Sequence, residues 1–389
     1  MKHRNPFRTS AYAAALLVAS LACPLPVRAQ VTVARFQGDF TGAYVFTFDD
    51  ALSSQQIYAA PYLDQVGFKG SFYLVTKWIS DATTTPEVGE PSTWKGWKAV
   101  ADSGHEIGSH TLTHPDLVTL SPDSADKELA GSALLIREKL GITPVTLAYP
   151  YNSRNADVTA RMRKTYLAAR EYQSTYGDVA GGANTAEAMN KFTDAAVTSR
   201  KLLIGMIHGI TEPYAPMDPA QFLIHLKYCR KLVDDRKLWV ARFCDAVKYG
   251  AEHDSIQLTV KAQSDGHVEF LAESPLDPVR YDYPLTFKVA YAGNAPVSAR
   301  ALRAGASEPL PLEIRPGFLL ITAVPGPKAI SVDWPGGTGV VPTVKHGAAA
   351  PRSTRYLATG RRLPARNLAA PSRGNAARSG GAAVEIPVP

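Results

Sequence analysis

Two carboxylates, Asp49 and Asp50, directly follow the apolar run 43–48. Adjacent carboxylates at the end of an apolar strand are costly unless a cation or solvent compensates them. Successive strand side chains point to opposite faces, so one can ligate a metal ion while the other accepts a proton. Taken alone, the pair reads equally as a helix N-cap after a strand. His110 and His114 are four residues apart in His110-Thr111-Leu112-Thr113-His114. One helical turn starting at the strand end would place both imidazoles on one face, able to bind one divalent ion. Together with the Asp pair they supply an Asp/His/His set that leaves positions open for water and substrate. His208 ends the apolar run 202–207. A single His there is more often a core residue than a catalyst, but three such strand ends in one chain point to a site. His105 precedes its cluster and reads as structural.

These residues need a frame that delivers strand ends to one place. Apolar runs at 43–48, 70–75, 105–109, 145–149, 166–169, 203–207 and 238–243 alternate with helically spaced segments. The helical segments are 57–66, 94–103, 124–140, 155–164, 185–193 and 219–234. This alternation predicts a parallel sheet with crossover helices, and seven strands favour an incomplete barrel over an open sheet. In such a barrel the chemistry gathers at the C-terminal ends of the strands. Residues 255–335 instead carry short strand-like runs separated by Pro and Gly, the pattern of a small β-sandwich. Residues 336–389 turn to Gly, Pro, Ala and Arg and are expected to be disordered. The expected architecture is α/β: a distorted (β/α)7-8 barrel, a C-terminal all-β sandwich-like domain and a disordered tail. The expected boundaries are 1–29, 30–253, 254–335 and 336–389.

The 389-residue chain has a formal net charge of +7 and 45% hydrophobic residues, a globular composition. A basic chain suggests nucleic acid or acidic membranes, but the charge is unevenly placed. Residues 1–29 hold four basic groups and no acid; residues 343–389 hold eight basic groups and one acid, Glu385. That leaves −4 for residues 30–342, with no basic stripe, which argues against nucleic acid. Residues 1–29 read as an export signal, with a basic start, an apolar run near 11–22 and small residues before Gln30. The apolar run is too short to span a bilayer. An uncleaved anchor and a lipoprotein at Cys23 are the alternatives. Export predicts a secreted or periplasmic protein without an integral membrane segment once the signal is cleaved. The basic tail is expected to touch anionic envelope polymers. Cys229 and Cys244 then either pair or stay as two buried thiols.

In order and spacing, Thr47-Phe48-Asp49-Asp50, His110-Thr111-Leu112-Thr113-His114 and Ile207-His208-Gly209 resemble three motifs of the polysaccharide deacetylases. This is the NodB-homology, carbohydrate esterase family 4 group, and the resemblance covers roughly 40–250. It implies that Asp50, His110 and His114 hold a divalent metal, with zinc first and cobalt or nickel as alternatives. It implies Asp49 as general base, His208 as general acid and the Tyr151 backbone N–H as oxyanion donor. The family's third motif is Arg-x-Pro-Tyr, whereas this chain reads Ala148-Tyr149-Pro150-Tyr151, without the Arg that orients the base. Arg170, at the end of the next strand, could supply that guanidinium, or form a rim salt bridge with Glu171. Asp194 is the candidate for the acid that supports the catalytic His. Tyr149, Tyr151, Tyr172, Trp94, Trp97 and Tyr214 are the aromatics available to a glycan groove.

The implied activity is metal-dependent removal of acetyl groups from a carbohydrate, N-linked as in chitin or peptidoglycan or O-linked as in xylan. The expected partner is an acetylated polysaccharide or oligosaccharide. Two other readings use the same residues: a glycan-binding protein without activity, and a hydrolase of a small non-glycan amide.

Overall fold

The computed structural model describes residues 31–176, 184–211, 216–291 and 298–335. The expected export signal, Cys23, Tyr214 and the basic tail lie outside the described residues. The barrel strands are β2 (Gly42–Phe48), β3 (Ser71–Leu74), β4 (Glu106–Ser109), β5 (Thr146–Ala148), β6 (Ala168–Arg170), β7 (Ser174–Thr175), β8 (Leu202–Ile207) and β11 (Leu238–Ala241). Between β8 and β11 lie the two-residue strands β9 (Gly209–Ile210) and β10 (Pro216–Met217). The main sheet runs β6-β5-β4-β3-β2-β8-β7, all parallel, with β11 paired to β2. Its two edges, β6 and β7, are separated by only three residues, 171–173, so the sheet curls into a barrel that is not closed between them.

The crossover helices are α1 (Ala60–Gln65), α2 (Trp94–Asp102), α3 (Pro122–Leu140), α4 (Ala156–Thr165), α5 (Ala186–Ser199) and α6 (Pro219–Asp234). Their ends are written in the sequence. α3 starts at Ser121, whose hydroxyl accepts from the Ser124 N–H, with Pro122 in the first turn, and stops at Gly141 at φ 74°. α6 begins on Asp218-Pro219 in the same way. α2 buries Trp94, Trp97 and Val100 against the sheet. Trp97 is fully buried, packs on Phe72 and donates its indole N–H to Ser92 Oγ at 2.9 Å. Phe72 stacks on Phe48 of the central strand, ring centroids 4.7 Å apart. Each such side chain contributes about 1.5–3 kcal/mol of burial energy, which holds the site-bearing ends of β2 and β3 side by side. Trp94, Trp97 and the buried Tyr149 are therefore core residues and not groove walls.

A further helix, α7 (Phe243–Ser255), was not expected as such. Its first turn lies beneath β3 and β4, where the Phe243 N–H donates to Ser71 Oγ and the Cys244 N–H to Glu106. A buried carboxylate at a helix N-terminus is favourably placed. Cys229 and Cys244 are both buried free thiols, so the pairing alternative is not realised.

The all-β part is a pair of four-stranded sheets. One sheet orders β12 (Gln257–Ser264), β13 (His267–Glu273), β18 (Gly326–Asp333) and β15 (Arg300–Arg303). The other orders β1 (Val31–Val33), β14 (Leu285–Ala290), β17 (Phe318–Ala323) and β16 (Leu312–Arg315). β1 was expected in the barrel; instead it pairs antiparallel with β14, Thr32 opposite Lys288. From Val31 the described chain thus runs from the sandwich to the barrel and back. Trp239, Tyr249 and Tyr283 form an aromatic junction with centroids 5.3–6.4 Å apart, and the Tyr249 hydroxyl donates to the Ala34 carbonyl.

Glu252 on α7 is buried in the same region. Burial first, and Asp282 second, push its carboxyl up to about 7 against the pull of Lys248. The folded value lies above the unfolded one near about 4.3. The stability tied to this group is therefore full below that value and is lost as pH rises through 7. Glu252→Gln is expected to raise the unfolding temperature at pH 8.5 by about 2–4 °C and to leave it unchanged at pH 4. A calorimetric shift of equal size at both pH values would contradict a titrating carboxyl.

Candidate active site

The residues singled out by spacing converge at the C-terminal mouth of the barrel. Asp49 and Asp50 extend β2, His110 follows β4, and His208 follows β8. His110 Nε2 and His114 Nε2 lie 3.5 and 3.6 Å from Asp50 Oδ1 and 3.2 Å from each other. Those are the edges expected for ligands about 2.0–2.1 Å from a shared divalent ion. His208 Nε2 faces the other oxygen, Asp50 Oδ2, at 3.8 Å.

The helical turn expected at 110–114 is absent. The segment is a loop with Thr111 at φ 69° and His114 at φ 67°, both left-handed. It is held from outside: Glu128 of α3 accepts from the N–H groups of Leu112 and Thr113 and from the Thr113 hydroxyl. The Thr111 N–H donates to Ser109 Oγ, and the His114 N–H to Thr111 Oγ1. Asp50, Ala51, Tyr151 and Asn152 are also left-handed. Strain of this kind, about 1–3 kcal/mol per residue, persists where surrounding contacts over-determine the backbone, typically at functional sites.

Asp49 is clamped by Arg170. Nη1 donates to Asp49 Oδ1 at 2.7 Å and to Thr47 Oγ1 at 2.9 Å, and Nη2 donates to Asp49 Oδ2. The guanidinium lies over the Tyr73 ring, and both partners are buried. Arg170 and Ala148 are register partners on neighbouring strands. Parallel neighbours in register point to the same face, so the guanidinium sits one strand over from the position the resemblance assigns to it. The rim pairing with Glu171 is not realised; Glu171 instead meets Arg154 at 3.1 Å. The Ala148 carbonyl has a use of its own, accepting from His110 Nδ1 at 2.8 Å. That bond fixes the tautomer and leaves Nε2 free to ligate.

The electrostatics separate the two carboxylates. Burial would raise Asp49, but Arg170, His110 and His208 outweigh it and hold its carboxyl down at about 2. Burial and then the Asp49 charge push Asp50 up to about 7, only partly offset by Arg170. Asp50 Oδ1 is buried without a hydrogen-bond partner among the described residues. An uncompensated carboxylate oxygen facing two imidazole nitrogens is the donor set a divalent cation fits. Burial lowers His110 to about 4 and lowers His114 as well, keeping both neutral as ligation requires. Burial also lowers His208, against the pull of Asp49. An imidazole lowered in this way gives up its proton more readily.

Tyr151 sits at the rim, 68% exposed, with its ring edge-on to His114 at 4.8 Å. Trp78, four residues beyond the end of β3, was missed; it is 46% exposed and its ring lies 5.3 Å from that of His114. Its place after a strand end was the available signal. Tyr172 is exposed beneath the Arg154 guanidinium. Asp194 accepts from the Tyr228 hydroxyl on the helical layer. His105 is structural, as expected, accepting from the Gly70 N–H.

Residues 41–169 match the family model of polysaccharide deacetylases. A Gellan lyase from Bacillus sp is 30% identical over 338 residues, 77% of this chain and 13% of that protein. Chitin deacetylase 1 of Cryptococcus neoformans is 30% identical over 117 residues, 30% of this chain and 22% of that protein. The chain thus spans less than a quarter of the length of either relative. Among solved structures, the chitin deacetylase of Colletotrichum lindemuthianum is 21% identical with a TM-score of 0.41, covering 54% of this chain and 89% of that one. A family 4 acetyl xylan esterase from Clostridium thermocellum is 20% identical with a TM-score of 0.40, covering 52% and 89%. Among the described residues no helix is long and apolar enough to cross a membrane. With its site residues on the ends of a parallel barrel, the chain is similar over residues 41–169 to the polysaccharide deacetylases.

Proposed function

We propose that this protein is an exported, metal-dependent hydrolase that removes acetyl groups from a carbohydrate. The observation that carries the reading is the Asp50, His110 and His114 triangle beside an Asp49 clamped by Arg170. Asp50, His110 and His114 would hold a divalent ion, zinc first; when bound it polarises an acetyl carbonyl and acidifies water. Asp49, kept ionised, takes the proton of the attacking water. The Tyr151 backbone N–H receives the negative charge that develops on the carbonyl oxygen. His208 returns a proton to the departing sugar amine or alcohol. Trp78 and Tyr151, both exposed and both beside His114, offer apolar faces to a pyranose ring. Export rests on the basic and apolar pattern of residues 1–29. The curated relatives are named for gellan and chitin, both polysaccharides.

Acetate release from acetylated xylan and from chitooligosaccharides, with and without a chelator, tests the proposal. One of the two is expected to be deacetylated, with activity falling by about two orders of magnitude or more on metal removal. Zinc-loaded protein that releases no acetate from either would favour a binding role. Release untouched by metal removal would sink the metal assignment.

A further inference from the structure

Gln55 occupies a place in the site that none of the motifs assigns. It opens a π-helical turn, Gln55–Ala59, and is fully buried. Such turns recur at functional sites. Strands β2 and β8 pair in register up to Phe48 opposite Ile207, and the Asp49 N–H still donates to the Ile207 carbonyl at 3.1 Å. Beyond that rung the two backbones part. β2 turns through the left-handed residues Asp50 (φ 74°) and Ala51 (φ 55°), while β8 gives way to His208 and the short β9. Past that point a side chain bridges the carbonyls of Asp49 and His208. Gln55 Nε2 donates to both, at 2.5 Å to Asp49 and 2.6 Å to His208. Its Oε1 is buried without a partner among the described residues, so the amide is used for its two donors alone. Next to it, Ser54 Oγ accepts from the Ile210 N–H at 3.0 Å.

We infer that Gln55 is a positioning residue whose amide forms an added rung between β2 and β8, fixing the backbone of the base Asp49 against that of the acid His208. The catalytic consequence rests on the deacetylase reading above; the rung itself does not. Arg170 fixes the Asp49 carboxylate from the β6 side of the barrel. Gln55 ties the same residue to the strand that carries His208. Base and acid must act on one bound acetyl group, and a displacement of about 1 Å between them costs roughly 10²-fold in rate.

Gln55→Met keeps the side-chain length and removes both donors. In the metal-free protein, hydrogen exchange of peptides spanning 49–53 and 207–211 is expected to quicken, with β4 and β5 unchanged. In the zinc-loaded protein, kcat is expected to fall about 10- to 100-fold, with KM within about twofold and zinc stoichiometry intact. Gln55→Glu places a carboxylate against two carbonyls. Its deficit relative to the unsubstituted protein should be larger at pH 8 and narrow toward pH 5, where a protonated carboxyl can donate to one of them. Unchanged exchange in both segments would overturn the rung. A folded Gln55→Met with kcat within twofold of the parent, or a kcat loss matched by loss of zinc, would overturn the positioning role. If the parent protein releases no acetate, the deacetylase reading fails while the exchange experiment still decides on the rung.

Discussion

Asp49→Ala is expected to lower kcat by about 10²–10⁴-fold while the protein keeps its zinc. Asp49 stands beside the three-ligand triangle without belonging to it. Both of its oxygens are engaged by Arg170, and Oδ2 lies 3.9 Å from His110 Nε2. Removing it takes away the proposed base and leaves Asp50, His110 and His114 in place. It also leaves the Arg170 charge buried and unpaired, which costs about 3–5 kcal/mol of stability. Rates must therefore be compared on protein shown to be folded, and Asp49→Asn, which can still accept from the guanidinium, is the milder companion. His208→Ala should behave alike, losing turnover and keeping metal, because His208 Nε2 faces Asp50 Oδ2 at 3.8 Å whereas His110 and His114 share Oδ1. His110→Ala should lose the metal itself, since it removes one of the three converging atoms. Zinc analysis beside kcat separates these cases. Metal lost from Asp49→Ala in proportion to activity would make Asp49 a ligand and not a base.

Which side chains share the site was readable because parallel barrels expose strand ends, and chemistry-bearing residues followed four of the apolar runs. How the backbone presents them was not. Histidines four apart suit a helical turn, yet Thr111 and His114 are left-handed and the loop is held by Glu128, a residue 14 positions after His114. That partner is close only after α3 has folded back. Trp94 and Trp97 follow helical spacing, and their burial depends on which face of α2 meets the sheet. β1 is three residues long and pairs with a strand some 250 residues away, so its sequence carries no sign of the sandwich. Gln55 and Trp78 belong to no spacing pattern; one donates to the carbonyls of Asp49 and His208 and the other lies beside the His114 ring. Arg170 lay between. Its strand and position were legible, but the choice between Asp49 and Glu171 depended on Arg154 already holding Glu171.

Arg170→Lys is expected to cost about 10²-fold in kcat although the charge is preserved. The guanidinium makes three directed bonds at once, to both oxygens of Asp49 and to Thr47, whose hydroxyl in turn donates to the Gly205 carbonyl of β8. An ammonium is a point charge on a flexible stem. It can keep Asp49 ionised but cannot hold its plane, so base strength would survive and base direction would not. The expected signature is a lower kcat with zinc content and KM near those of the parent. Arg170→Met goes further, because burial then acts on Asp49 unopposed by its main counter-charge and raises its carboxyl. That variant should be destabilised by about 3–5 kcal/mol as well as inactive. The register pairing of Arg170 with Ala148 supplies a sharper arm. If the clamp needs only a guanidinium at that height on that face, pairing Ala148→Arg with Arg170→Ala should recover part of the activity that Arg170→Ala alone loses. Activity in Arg170→Lys equal to the parent would show that charge alone suffices. The bidentate geometry would then be a feature of folding and not of catalysis.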